Sequence, residues 1–233
     1  MQEKIIIVTE GAKSDVINPN QIREFASWVE QSLLPELVLE SVHDGEPIIV
    51  RRYPEQWSKL GAGNYAGVFA HPLADDLVVK VYTPGRGGFE DEVEVYGRLG
   101  EHAAYSQCYD ANETGGFRYL ILKRLRGKTL YQCILEGIPI PARAIEDVDE
   151  ALDYARSRGL RPHDVHGKNI MINEGRGFVV DVSDFLKQDA CTMWDDMKKA
   201  YKHLYLPYLS KRPVPIPEWI MDGVRKGYRL FKS

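Results

Sequence analysis

Apolar residues change their spacing partway along this chain, and that change limits the folds open to it. Between residues 47 and 122 they come in short runs of strand length. Pro47-Ile-Ile-Val50, Tyr65 to Phe69, Leu77-Val-Val-Lys-Val-Tyr82 and Tyr119-Leu-Ile-Leu122 are four of these, the last fed by a turn at Gly115-Gly116. From Pro141 to Arg158 the spacing is helical, with Ile145, Val148, Leu152 and Ala155 in one stripe, Pro141 in the first turn and Gly159 at C′. Strands segregated from helices predict an α+β fold or two lobes, and two lobes leave a cleft for a ligand.

Other elements fill in around this frame. A strand is expected at residues 4–8 and a helix from about Pro19 to Leu34, where Ile22, Phe25, Ala26, Val29 and Leu33 form one face. This N-terminal part is expected to be a layer on a larger domain. A polar loop at 84–88 precedes a helix starting near Phe89. Ile170 to Ile172 reads as a short strand, a turn at Gly175 and Gly177 follows, and Phe178 to Val182 reads as the next strand. Two helices end the chain, one capped by Thr192 with Asp195 and Asp196 in its first turn, the other opened by Pro217.

The chain has 233 residues, enough for a sizeable core, and a net charge of −4, which argues against a general nucleic-acid binder. Its three cysteines, Cys108, Cys133 and Cys191, have no paired spacing and fit a reducing compartment. Ile5 to Val8 is too short an apolar run for a signal-peptide core or a membrane span, so a cytoplasmic protein without a membrane span is expected.

Three stretches carry polar residues that such a frame does not need. Leu60-Gly-Ala-Gly-Asn-Tyr-Ala-Gly-Val-Phe69 is a glycine-rich turn running into a strand. It suits either a plain hairpin or a loop whose backbone N–H groups approach a phosphate; a dinucleotide-binding turn would open a helix instead. Lys80 sits among valines, either facing water on an edge strand or paired with a carboxylate. Glu92, twelve residues on, is one candidate partner beside Glu90, Asp91 and Glu94. His163-Asp-Val-His-Gly-Lys-Asn169 reads as a metal site, a polar turn or a catalytic loop. Structural zinc sites usually have four N/S ligands, and no cysteine lies close in sequence. In the catalytic reading Asp164 is a base and Asn169 a metal-positioning amide. Asp181, twelve residues beyond Asn169, ends an apolar run and offers the hard oxygen that magnesium prefers.

Taken in order from about residue 55 to 208, these pieces resemble the protein-kinase-like superfamily, which includes RIO-like, lipopolysaccharide and aminoglycoside kinases. Gly61-x-Gly63-x-x-Ala66-x-Val68 resembles the glycine-rich loop, with Ala66 in place of its third glycine. The resemblance makes Gly61, Ala62, Gly63 and Val68 nucleotide-contacting residues and Lys80 the phosphate-binding lysine. Glu92 becomes its helix partner. Leu122, Lys123 and Leu125 take the adenine hinge. His163-Asp164 stands for the His-Arg-Asp motif, and Asp181-Val-Ser183 stands for Asp-Phe-Gly. Asp164 is then the catalytic base, with Lys80 also catalytic, and Asn169 and Asp181 are magnesium ligands. His163 orients the loop, and Asp196 resembles the helix aspartate that buttresses it.

The resemblance implies a two-lobed α+β fold. Its parts would be an N-terminal extension (1–48), an antiparallel-sheet N-lobe (49–125) and a reduced helical C-lobe (126–233). Asp181 and Asp196 are only 15 apart, which leaves no room for a full activation segment or peptide platform. ATP and magnesium are the implied cofactors. The implied acceptor is a hydroxyl, on a protein for an atypical serine/threonine kinase or on a small molecule for a sugar or aminoglycoside kinase. A nucleotide-binding scaffold without turnover is the third alternative.

Overall fold

The computed structural model describes residues 17–43 and 46–232. The expected strand at 4–8 lies outside them. The first described element is α1 (Pro19–Trp28), which continues as a π-helical turn over Val29–Leu33. Asn18 opens it: its side chain accepts from the Asn20 N–H at 2.9 Å, and Gln21 Oε1 accepts from the Asn18 N–H at 2.9 Å. The strands β1 (Val38–Glu40) and β2 (Ile49–Arg52) pair antiparallel. Next come β3 (Ser58–Ala62), β4 (Ala66–Ala70), β5 (Leu77–Tyr82), α2 (Phe89–Leu99), β6 (Cys108–Thr114) and β7 (Phe117–Lys123).

β3 to β7 form one antiparallel sheet in the order β3-β4-β5-β7-β6, so β5 is its central strand. All six residues of β5 are buried, and the strand alternation sends them to two faces. Leu77, Val79 and Val81 pack with Phe25, Val29 and Leu33 under the N-terminal helix. Val78 and Tyr82 pack with Val95 and Leu99 of α2. Lys80 shares that second face, so it is not an edge-strand lysine facing water.

The second half is built on α3 (Leu130–Glu136) and α4 (Ala142–Ser157), preceded by the short β8 (Lys128–Thr129). α4 ends as expected, with Gly159 at φ 75°. β9 (Ile170–Asn173) and β10 (Arg176–Val179) form a hairpin that lies on α4. Asp147 of α4 pins it, accepting from Arg176 Nε at 2.7 Å and from the Gly177 N–H at 3.0 Å. The turn of this hairpin is Glu174-Gly175, at φ 49° and 78°, and not Gly177. Gly177 lies inside β10, where a Cβ would stand 2.1 Å from the Ala144 carbonyl oxygen. Glycine is needed there for contact between strand and helix. Gly177→Ala is therefore expected to lower stability by about 1–3 kcal/mol or more, read as a shift in urea midpoint.

β10 also stops earlier than expected, at Val179, although the Val180 N–H still bonds the Asn169 carbonyl opposite it at 2.9 Å. The chain closes with α5 (Met193–Ala200), continued by a π-helical stretch over Tyr201–Leu209, and α6 (Glu218–Lys232). Sheet-rich and helix-rich halves give the two-lobed α+β architecture that the resemblance implies. Only residues 182–192 separate Val180-Asp181 from α5, and they hold no helix or strand.

Candidate phosphotransfer site

Three elements bring charged side chains together where the halves meet. Lys80 of β5 reaches Glu92 of α2, Nζ to Oε2, at 2.6 Å. It also reaches Asp181, beyond β10, at 3.3 Å from Oδ1. Glu92 is fully buried, and Tyr82, two residues along β5 on the same face, donates its hydroxyl to the same Oε2. Glu92 is thus the partner among the four acids of its helix. Glu90 and Glu94 face outward to Arg118 and Arg98 instead. Burial works against the Lys80 charge, but Asp181 and Glu92 outweigh it and hold its pKa above the ordinary lysine value. Burial raises the Glu92 carboxyl against the pull of Lys80 and Tyr82.

Removing Glu92 takes the closer of its two counter-charges from buried Lys80 and leaves the buried Tyr82 hydroxyl without its acceptor. Glu92→Ala is expected to cost about 3–5 kcal/mol in chemical denaturation. Glu90→Ala, at an exposed ion pair, is expected to cost under about 1 kcal/mol.

Asp181 is only partly exposed. Its Oδ1 accepts from the Ser183 N–H at 3.1 Å and the Ser183 hydroxyl at 2.7 Å, as well as from Lys80. Burial alone would raise its pKa, yet Lys80 and the two Ser183 donors keep the carboxyl below the usual carboxylate value. Its Oδ2 has no hydrogen-bond partner among the described residues.

Asp164 has φ 56°, a left-handed backbone that a non-glycine residue adopts at a cost. Two donors fix that turn through the Asp164 carbonyl: the His166 N–H at 3.0 Å and the Asn169 side-chain amide at 2.9 Å. Asn169 therefore spends its Nδ2 on the loop and keeps its Oδ1 for another partner. Partial burial, opposed by His166, raises the Asp164 carboxyl, and the neighbouring Asp184 and Asp181 push it the same way. His166 Nε2 lies 3.8 Å from Asp164 Oδ2. His163 has its Nδ1 buried and without a hydrogen-bond partner among the described residues. Asp196 accepts from the Thr192 hydroxyl at 3.1 Å and Lys199 at 3.2 Å.

The glycine-rich stretch is the β3–β4 hairpin, closed by the Gly63 N–H on the Ala66 carbonyl at 3.0 Å. Gly61 and Gly63 have neither a positive φ nor a neighbour within 4 Å of where a Cβ would stand. Neither the turn nor the packing needs glycine there. Gly67 differs, since a Cβ would meet the Phe69 ring at 2.9 Å. Val68 pairs with Lys80 across the sheet. Leu122 is buried, while Lys123 is already engaged: its N–H bonds the Gln107 carbonyl at 2.8 Å and its carbonyl accepts from the Ser106 hydroxyl at 2.7 Å. Leu125 follows β7, half-buried.

Sequence reasoning missed three residues at this site. Tyr65, at the hairpin tip, donates to Asp184 Oδ1 at 3.4 Å, and Lys187 holds Asp184 Oδ2 at 2.8 Å. The hairpin tip thereby touches the loop after Asp181. The aromatic residue at the tip of the glycine turn was the available signal. Burial pushes the Cys108 thiol up to about 12, which disfavours its thiolate.

The donor set suits a magnesium nucleotide. Asn169 Oδ1 and Asp181 Oδ2 are hard oxygens without partners among the described residues, and Lys80 is a fixed cation beside Asp181. Among the described residues no group of three or more His, Cys, Asp or Glu is arranged to hold a metal ion. A cation here would depend on phosphate and water oxygens for the rest of its shell, as magnesium commonly does.

Comparison with known proteins agrees with this geometry. The chain is 32% identical over 169 residues to a Bacillus subtilis (strain 168) protein named "Putative serine/threonine-protein kinase YrzF", covering 71% of this chain and 77% of that one. It is 26% identical over 125 residues to human "Ribosomal protein S6 kinase alpha-2", covering 51% of this chain and 17% of that protein. The mouse protein of that name matches at the same identity and coverage. No family model matches. The chain belongs to the protein-kinase-like superfamily. Its class is therefore a phosphotransferase of kinase type.

Proposed function

We propose that this chain transfers the γ-phosphate of ATP to a hydroxyl, with magnesium, in the manner of an atypical serine/threonine protein kinase. The observation that carries the proposal is the linkage of Glu92, Lys80 and Asp181, at 2.6 and 3.3 Å, drawn from three separate elements.

Each residue has a distinct task in this reading. The backbone of Gly61, Ala62 and Gly63 approaches the phosphates, and Val68, Leu122 and Leu125 line the base. The Lys123 carbonyl retains a second lone pair for the adenine edge. Lys80, held in place by Glu92, orients the phosphates. Asn169 and Asp181 hold magnesium, which when bound neutralises charge on the phosphate oxygens. Asp164 accepts the hydroxyl proton as the acceptor oxygen bonds to the γ-phosphorus and the bond to the β-phosphate oxygen breaks. The rest is positioning and electrostatic stabilisation. The proposed parts are an extension over 1–48, an N-lobe over 49–125 and a C-lobe over 126–233.

A small-molecule acceptor is the second reading, favoured by the short stretch 182–192 between Asp181 and α5. Incubation with γ-labelled ATP and magnesium tests the proposal, with protein, sugar and aminoglycoside acceptors offered in turn. Label transfer that Asp164→Ala removes supports it, and the acceptor labelled chooses between the readings. A folded protein that transfers no label, even to water, would support a scaffold instead.

A further inference from the structure

Charge is divided unevenly along the chain. Residues 202–233 carry seven Lys and Arg against two Asp and Glu, so the remaining residues of this chain of net charge −4 carry −9. That basic stretch ends in α6, which is amphipathic. At 100° per residue, Glu218, Asp222, Arg225 and Lys226 fall within an arc of about 100°, while Ile220, Met221 and Val224 lie opposite.

This helix leaves its apolar side uncovered. A surface helix normally turns its apolar stripe to the core. Here no residue of 218–227 is buried, and a side-chain contact with the body comes from the charged side, where Tyr131 donates its hydroxyl to Glu218 Oε1 at 3.4 Å. Val224 is 62% exposed and Trp219 74% exposed. The apolar exposure continues in the preceding stretch, where Leu204 and Tyr208 also stand out into solvent.

We propose that α6 lies on an anionic lipid surface, with its apolar face in the headgroup boundary. Among the charged residues, Arg225 and Lys226 occupy the two borders with the apolar face, where basic side chains can run along the apolar surface and end at lipid phosphates. Glu218 and Asp222 lie between them, turned away. Trp219 stands at one border, the position that suits a ring with one wet edge. At 15 residues α6 spans about 22 Å, and no helix among the described residues is long and apolar enough to cross a membrane. The contact is interfacial and would hold the acidic body of the protein at a distance from the lipid. It is independent of the phosphotransfer reading.

The test is sedimentation of the whole chain with vesicles of phosphatidylcholine alone or mixed with phosphatidylglycerol. Binding to the mixed vesicles is expected, weakening as salt rises, with a blue shift in the emission of Trp219, the most exposed of the tryptophans. Val224→Asp, and separately Arg225→Glu with Lys226→Glu, are expected to weaken it at least about tenfold while far-ultraviolet dichroism is unchanged. The inference is overturned if the folded wild type stays in the supernatant with anionic vesicles. Equal binding by Val224→Asp would also overturn it. So would light scattering that finds a dimer which Val224→Asp dissociates, since the face would then be covered by a second copy.

Discussion

Asp181→Ala is expected to reduce magnesium-dependent phosphoryl transfer by on the order of 10³-fold or more, with the fold intact. Its Oδ1 is committed to Lys80 and to both donors of Ser183, which fixes the carboxylate and leaves Oδ2 free. Those donors also keep it ionised at neutral pH despite burial. Alanine removes the metal-holding oxygen and one of the two counter-charges of Lys80, but Lys80 keeps Glu92 at 2.6 Å, so the core ion pair survives. A magnesium titration of γ-phosphate transfer checks this, beside far-ultraviolet dichroism. Unchanged turnover in a folded variant would reject Asp181 as a metal ligand.

The second large effect is expected at Asp164. Asp164→Asn keeps the shape of the loop, because the turn is held through the Asp164 carbonyl and not its side chain. It removes the proton acceptor, so kcat should fall about 10²–10⁴-fold with KM for ATP little changed. The wild-type pH profile carries a second sign of the same group. A base must be ionised to act, and the carboxyl of Asp164 is raised above the ordinary aspartate value, first by burial. Activity should therefore fall on the acid side at a higher pH than an ordinary aspartate would give, and the asparagine variant should lose that limb. A change confined to KM would show that Asp164 binds and does not accept a proton.

Much of this site was legible because its residues break local rules. A lysine within four apolar neighbours in Leu77-Val-Val-Lys-Val-Tyr82 demands a partner, and the structure supplies two. Asp164 and Asn169 crowd one loop whose turn uses the Asn169 amide and the Asp164 carbonyl but neither residue's side-chain oxygens. What spacing could not decide was which acid of Phe89 to Leu99 meets Lys80, since that depends on the face α2 turns to the sheet. α3 went unread although Thr129-x-x-Gln132 is a capping box, with Thr129 accepting from the Gln132 N–H at 3.1 Å. β3 and β6 went unread because they are the edge strands of the sheet, and edge strands lack the apolar runs of β5 and β7. Gly177 was misread as a turn residue because sequence does not distinguish a glycine needed for its φ from one needed for contact with Ala144. The Tyr65–Asp184 contact joins residues 119 positions apart, so the aromatic residue at the hairpin tip could mark a contact but not its partner.

The most direct test of the account is calorimetric titration of Mg·ATP into the folded chain, beside Lys80→Ala and Asp181→Ala. The account predicts binding that needs magnesium and is weakened by both substitutions. Absence of binding by the folded wild type, or magnesium-independent binding that neither substitution alters, would contradict it.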